Sequence, residues 1–485
     1  MSSIAPVLNV LSKVVILFSA TFLVPLTLSW VLDDGAQRAY DEAILITFAA
    51  GLFTWLFTRK ASRELQTRDG FLLVLLTWTS LPAFATLPLL IYLPELSFTD
   101  AYFETVSGIT TTGSTILTGL DALPMSINLW RGLLVWFGGM GMIVLAVAIL
   151  PLLGVGGMQM YKAETPGPMK DTKLTPRITE TAKGLYLVYV GITIVCVLAF
   201  WLAGMTPFDA VMHTFSTMGL GGFSSHDASF GHWNSPLIEA VAVVFMLVAG
   251  INFSTHFMAW RQRSVNAYRL DPEMRWFLFV TLGSVLMIGI YLFAMRVYPD
   301  FWVALRFALF NTVSIATSTG FASTDFNLWP VFAPLWMLLL SCFASCSGST
   351  GGGMKMVRAQ LLFRQGRREL ARLIHPAARL PVKLGGQVVP NTIIYAVLAF
   401  AFMYVFAIIV LTLVMTASGL EPITAFSAVV ASINNTGPGL NEVGPATTYA
   451  VLTDFQTWVC TIAMLLGRLE LMTVLVVFTR TFWRA

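Results

Sequence analysis

The sequence predicts an all-α polytopic membrane protein of ten spans: two N-terminal helices, then four tandem repeats of span, half-length helix, turn and span around a pseudo-fourfold pore. Three observations lead there. The chain is apolar in long uncharged runs, its basic residues are confined to alternate connections, and one small-residue turn recurs four times.

Of 485 residues, 56% are hydrophobic and only 11% are charged, against about 25% charged in an ordinary soluble domain. Apolar runs long enough to cross a bilayer lie near 14–32, 40–57, 70–94, 128–153, 184–204, 236–258, 275–295, 330–346, 392–417 and 451–478, the second and eighth being marginal in length. Only Lys13 precedes the first run and no small-residue cleavage site follows it, so it reads as a retained helix and not a signal peptide. Cys196, Cys342, Cys346 and Cys460 lie in or at the end of apolar runs and imply no disulfide framework; Cys342 and Cys346 read as small core residues on one helical face.

Charge orients the spans. Of 29 basic residues, 21 lie in the connections 58–69, 162–183, 261–275 and 355–383. The alternate connections carry mostly acids: Asp100, Glu104, Asp121, Asp209, Asp227, Asp325 and Glu421. The positive-inside rule puts the basic connections and both termini in the cytoplasm. The net charge of +4 requires no nucleic acid partner.

The acidic-side connections are too apolar for ordinary loops. DAYFETVSGITTTGST (100–115), DAVMHTFSTMGLGGFSSHD (209–227), FALFNTVSIATSTGFASTD (307–325) and TAFSAVVASINNTGPGL (424–440) each pair a short helical segment with a glycine turn. Thirteen residues before Gly113, Gly222, Gly320 and Gly437 stand Asp100, Asp209, Phe307 and Thr424, three of them plausible helix caps. The copies are spaced 109, 98 and 117 residues apart. This divides the chain into an N-terminal pair (1–69) and repeats at 70–161, 162–260, 261–358 and 359–485.

Non-helical backbone survives at membrane depth only when buried in protein or lining a water-filled path. Four equivalent turns on one axis form rings of backbone oxygens, which dehydrating a monovalent cation requires. Glycine supplies the backbone freedom, and threonine hydroxyls add an oxygen or brace the turn. A single turn would equally suit close helix packing; four at matched offsets favour a pore.

In the third repeat, SCFASCSGSTGGGMKMVR (341–358) cannot hold a regular helix, since Gly348, Gly351, Gly352 and Gly353 fall among Ser347, Ser349 and Thr350. A loop there lies below the third turn and is placed either to block an ion path or to act as a passive hinge. Its likeness to a phosphate-binding loop fails on spacing and on the missing strand. In the last run Arg468 and Glu470 stand on different helix faces, so each needs a separate partner. Arg468 suits either an electrostatic barrier on the pore side or an ion pair with another helix. Arg131, Arg296 and Arg306 read as snorkelling residues near the acidic-side surface. The five histidines show no metal-ligand spacing, and His213 reads as a brace within the second half-helix. No hydrolase motif is present, and an enzyme is not expected.

GITTTGST, GLGGFSSHD, ATSTGF, NNTGPGL and CSGSTGGGMK, with WFGGMGMIVLAVAILPLLGVGGMQMY (136–161), carry a family likeness. Over essentially its whole length the chain resembles the potassium transporters that include TrkH, TrkG and KtrB, the TrkH type most of all. The resemblance implies a potassium-selective pore subunit of the bacterial plasma (inner) membrane. Its filter would comprise Thr111, Thr112 and Gly113; Leu220, Gly221 and Gly222; Ser318, Thr319 and Gly320; and Asn435, Thr436 and Gly437. Its gate would comprise Gly348, Ser349, Thr350, Gly351, Gly352 and Gly353, with Lys355 and Arg468. The turns differ in sequence, which leaves room for rubidium and even sodium beside potassium.

The resemblance further implies a homodimer working with a cytoplasmic TrkA-like ring that binds NAD or adenine nucleotides. This chain has no dinucleotide fingerprint and is expected to bind no cofactor beyond its substrate ion. The basic 355–383 connection would dock the ring or meet anionic lipid. Potassium uptake through a gated path and potassium symport with protons or sodium both fit the sequence.

Overall fold

The structure, a computed structural model, describes residues 4–61, 65–144 and 178–483. Helices α1 (Ala5–Ser19) and α2 (Leu23–Leu32) continue through one 3-10 turn as a single span, and α3 (Gln37–Thr58) returns against α1. The first repeat holds α4 (Thr67–Ala85), α5 (Leu87–Tyr92), the half-helix α6 (Phe98–Ile109) and α7 (Met125–Val144). In the second come α8 (Ile178–Leu202), the half-helix α9 (Pro207–Gly219), α10 (Pro236–Ala249) and α11 (Phe253–Gln262).

A short α12 (Asn266–Leu270) leads to the third repeat: α13 (Pro272–Ala294), the half-helix α14 (Phe301–Ala316), α15 (Phe332–Ser341) and, after a loop, α16 (Met356–Ile374). A two-stranded antiparallel hairpin, β1 (Lys383–Leu384) with β2 (Gln387–Val388), precedes the fourth. There α17 (Asn391–Ala417) is followed by the half-helix α18 (Pro422–Ile433), α19 (Asp454–Arg468), α20 (Leu471–Val477) and the terminal turn α21 (Arg480–Trp483).

Among the described residues, six helices are long and apolar enough to cross a membrane, or eight when each of two bent pairs counts as one. The expected span 128–153, the stretch 136–161 and the basic connection 162–183 lie partly outside the described residues. The expected eighth span shrinks to the ten-residue α15 followed by the glycine-rich loop. Helix α15 ends at Ser341, so Cys342 and Cys346 do not share a helical face as the sequence suggested.

Interruption is more general than the sequence indicated. Besides the third repeat, the second breaks between α10 and α11 with a bend of 91°, and the fourth between α19 and α20 with a bend of 109°. At the first break the Asn252 side chain accepts from the Ser254 N–H and starts a new helix. At the second, Glu470 takes a left-handed φ of 59° that no continuing helix allows.

Each half-helix is capped at its N-terminus by a side-chain oxygen: Ser97, Thr206, Asp300 and Glu421 accept from backbone N–H groups of the first turn. These caps stand three residues before the expected position in the first, second and fourth repeats and seven before it in the third. Asp100 and Asp209 are instead the acids that accept from the cap hydroxyls, at 2.8 and 2.7 Å. Every residue of α6 from Ala101 to Ile109 is buried, as befits a helix walled by other helices on all sides.

Close backbone approach locks the half-helices to the spans behind them. A Cβ on Gly138 in α7 would stand 2.0 Å from the Ile109 carbonyl oxygen, and one on Gly467 in α19 would stand 1.9 Å from that of Ile433. These are equivalent contacts in the first and fourth repeats. Gly191 and Gly283, also helical, face open space.

Gly138→Ala and Gly467→Ala should therefore each lower the thermal midpoint of the detergent-purified protein, at about 1–3 kcal/mol for forced overpacking. Gly191→Ala and Gly283→Ala should be neutral or stabilising by up to about 1 kcal/mol. Equal behaviour of the two pairs in a melting assay would contradict this packing.

Candidate functional site

The four half-helices end in one and the same way. The residue two before each turn glycine is left-handed: Thr111 (φ 55°), Leu220 (54°), Ser318 (59°) and Asn435 (52°). Its N–H donates to the carbonyl three residues back, at 2.9, 3.3, 3.0 and 3.1 Å in repeat order, and the next N–H to the carbonyl five back, at 2.8, 3.0, 2.8 and 2.9 Å. This is a Schellman closure, which satisfies the last helix carbonyls internally. None of the four left-handed residues is glycine, although each such conformation costs roughly 1–2 kcal/mol in an L-residue.

The glycine that follows is also left-handed in every repeat, with φ of 82°, 60°, 87° and 94° at Gly113, Gly222, Gly320 and Gly437. Here glycine is required twice over. A Cβ on Gly113 would lie 2.2 Å from the Gly221 carbonyl oxygen, on Gly222 2.2 Å from that of Thr319, on Gly320 2.1 Å from that of Thr436, and on Gly437 2.9 Å from that of Thr112. Each turn thus meets the next and the fourth returns to the first, closing a ring. The four carbonyls belong to the residue just before the glycine, so they are equivalent in position, although that of Gly221 also accepts from the Phe223 N–H at 2.8 Å. The twelve residues expected at the filter come together here.

Side chains fix the ring from behind. Thr110 and Thr112 share a hydroxyl hydrogen bond at 2.7 Å, as do Thr317 and Thr319. Asn435 Nδ2 donates to Thr112 Oγ1 and to the Met464 carbonyl, both at 3.0 Å, while Ser114 and Tyr449 hydroxyls each donate to the Gly437 carbonyl at 2.9 Å. His213 is the expected brace: its ring nitrogens lie 2.9 Å from the Asp209 carbonyl and from Ser224 Oγ.

Arg131 does not snorkel. It is buried with Glu104, Nε to Oε1 at 2.9 Å and both side chains 1% exposed. Its Nη1 also donates to the Ser224 carbonyl at 2.9 Å, and its guanidinium lies 4.4 Å from the centre of the Phe223 ring. Glu104 in turn accepts from the Ile116 N–H at 2.9 Å. The pair thereby joins the first and second turns. Arg306 likewise pairs with Glu239, with Nε to Oε2 at 2.9 Å. Sequence position alone suggested a surface for both arginines, because the acids that bury them lie 27 and 67 residues away.

The glycine-rich loop lies directly against the ring. Thr350 Oγ1 donates to the Met218 carbonyl at 2.9 Å, and the Gly352 N–H donates to Ser318 Oγ at 2.7 Å. A Cβ on Gly352 would come within 2.0 Å of the Asn434 carbonyl oxygen. The loop tip therefore touches the C-terminal ends of the second, third and fourth half-helices. Arg468 ties it to the first repeat as well, donating to the carbonyls of Thr350 at 2.8 Å and Gly138 at 3.1 Å. Among the described residues it makes no ion pair of the kind one sequence alternative required. Glu470 pairs instead with Arg358 at 3.0 Å, and Lys355 Nζ donates to the Gly351 carbonyl.

Sequence reasoning missed Glu273, which is buried at the start of α13. Its Oε1 accepts from the Ser347 N–H at 2.7 Å, Ser347 Oγ at 3.2 Å and the Val357 N–H at 3.0 Å, so it clamps both ends of the loop. The break in the second repeat joins the loop too: the Cys346 N–H donates to the Gly250 carbonyl at 3.1 Å and the Phe253 N–H to the Gly348 carbonyl at 3.0 Å.

On the opposite rim, Asp121 and Asp227 belong to loops after the first and second turns. The Leu120 N–H donates to Asp227 and the Asp227 N–H to Asp121, across repeats. Burial works against a charged His226, but the Asp209 and Asp121 carboxylates beside its ring outweigh it and hold the ring above the usual histidine range.

Half-helices that turn back as irregular backbone inside a bundle of membrane spans define a polytopic membrane transport protein, a class in which such backbone lines or borders the path. Residues 37–484 match the TrkH family, described as a cation transport protein. The chain is 46% identical over 482 residues to the Trk system potassium uptake protein TrkH of Vibrio parahaemolyticus, covering 99% of each. It is 37% identical over 470 residues to the Trk system potassium uptake protein TrkG of Escherichia coli K12, covering 97% of this chain and 96% of that one. The crystal structure of the potassium transporter TrkH from Vibrio parahaemolyticus matches with a TM-score of 0.92 at 44% identity, over the whole of both chains. This chain belongs to the TrkH family, and it is a multi-pass plasma-membrane transporter, not an enzyme.

Removing one member of the buried Arg131–Glu104 pair leaves an uncompensated charge, at a cost of about 3–5 kcal/mol. Arg131→Met and Glu104→Gln should each lower the melting midpoint sharply, and the double variant should recover part of the loss. Single variants that melt with the parent would show that the pair does not hold the turns.

Proposed function

We propose that this chain is the pore subunit of a potassium uptake system and conducts potassium down its electrochemical gradient through the ring of four carbonyls. The observation that carries the reading is the equivalence of the Thr112, Gly221, Thr319 and Thr436 oxygens, each set against the glycine of the neighbouring repeat. Oxygens held in such a ring replace the water shell of a monovalent cation. The half-helix C-termini beside them add partial negative charge where the cation sits. The names of the relatives support potassium as the ion.

In this reading the segment from Gly348 to Gly353 is the gate. It closes the path below the ring because its tip bonds to the ends of the second and third half-helices, packs against the end of the fourth and is tied through Arg468 to the first repeat. Arg468 acts as a latch whose charge also discourages a cation from dwelling there. Opening requires those bonds to release together, and Glu273 and Lys355 hold the loop ends in register meanwhile.

Control by a separate cytoplasmic subunit that binds NAD or adenine nucleotides fits the same geometry. Helix α16 begins at Met356, just after the loop, and exposes Phe363, Leu370, Leu373 and Ile374 among its arginines. A TrkA-like ring docked there would pull on the gate directly. The homodimer and the division into four pore repeats after residue 69 belong to the same proposal.

Gly113→Ser should lower the potassium-to-sodium flux ratio in proteoliposomes about tenfold or more, since its Cβ would enter the ring; an unchanged ratio would sink the filter assignment. Deleting Gly351 to Gly353 should raise basal potassium flux, and unaltered flux would reduce the loop to a hinge. The reversal potential should follow the potassium gradient at about 59 mV per tenfold ratio for one charge. A shift with an imposed proton or sodium gradient would establish symport instead.

A further inference from the structure

Asp121 stands 105 positions before His226, with His232 six positions further on. The fold brings them to one point on the rim opposite the gate loop, where a ligand atom from each lies within 4.8 Å of the other two. We propose that these three side chains bind a divalent transition-metal ion of the zinc type, bridging the loops after the first and second turns. Zinc binding does not need the ring to be a filter; only its effect on potassium flux rests on the proposed pathway, so the binding titration and the flux assay test the two separately.

The donor set decides the kind of ion. Two imidazole nitrogens and one carboxylate oxygen suit zinc and its neighbours, which take three protein ligands and leave a fourth position to water. Potassium, magnesium and calcium prefer oxygen alone. The site is also arranged beyond its ligands. His226 Nδ1 faces Asp121, while its Nε2 lies 3.3 Å from Asp209 Oδ1.

Asp209 is buried and held by the hydroxyls of Thr206 and Ser225 at 2.7 and 2.8 Å. Among the described residues that Nε2 forms no hydrogen bond, but the fixed Asp209 carboxylate behind the ring favours a proton there and leaves the Nδ1 lone pair for the metal. A hydrogen bond between His226 Nδ1 and Asp121 lies at that position.

His232 completes the set. Its ring stacks on that of His226 with centroids 3.6 Å apart and planes within 9°. Parallel rings aim their in-plane lone pairs side by side, so a modest turn of His232 is needed for both to meet one ion. His232 and Asp121 are both exposed, which leaves them free to make it. The two loops are already in register, since the Asp121 and Asp227 loops exchange backbone-to-carboxylate hydrogen bonds. Closure therefore demands side-chain movement only, and it adds positive charge beside the path.

The test is a calorimetric titration of the full-length, tag-free protein in detergent with zinc chloride, repeated with magnesium chloride. The proposal expects one saturable zinc per chain, no corresponding magnesium signal, and at least a tenfold weaker zinc affinity in His232→Ala and in Asp121→Asn. Zinc should also slow potassium flux into proteoliposomes for the parent and not for His232→Ala. Zinc binding of equal affinity in parent and both variants, magnesium binding at the same position, or equal zinc inhibition of parent and His232→Ala would each overturn it.

Discussion

A helix that stops inside a membrane protein leaves its last carbonyls without partners, and hydrocarbon supplies none. The four Schellman closures meet this constraint, and the rest of the structure depends on them. By turning the residue two before each glycine left-handed, they absorb the helix-end carbonyls and aim the following peptide at the neighbouring repeat. The carbonyls of Thr112, Gly221, Thr319 and Thr436 then face the glycines of the neighbouring repeats, that of Gly221 also accepting from the Phe223 N–H.

Holding such a ring open costs strain, and the surroundings show how it is borne. Four non-glycine residues sit in left-handed backbone, and buried side chains bond to the turns from behind. The Arg131–Glu104 pair links two turns in a setting where an unpaired charge would be untenable. Below the ring the symmetry ends. Among the described residues the second halves of three repeats are broken, each at a different place, and the loop of the third lies against the ring, bonded to the second half-helix and to Arg468. In the proposed reading the symmetric ring conducts and the one element able to move is the gate.

Much of this could be read from the residues. Glycines at matched offsets exposed the repeats because left-handed backbone in close contact tolerates nothing else, and the glycine-rich stretch after Ser341 declared its own break. The helix starts were misplaced because Asp100 and Asp209 look like caps but serve as the acids bonded to the cap hydroxyls. The breaks at Asn252 and Glu470 were hidden by apolar flanks that read as continuous spans. Arg131, Glu273 and the Asp121–His226–His232 cluster depend on partners brought together only by folding, which no local pattern encodes.

Whether the ring holds the ion is best tested by locating the ion itself. Crystals grown in rubidium or thallium should give anomalous density on the axis, roughly equidistant from the carbonyl oxygens of Thr112, Gly221, Thr319 and Thr436. Density absent from that point, with ordered ions found elsewhere along the path, would contradict the account.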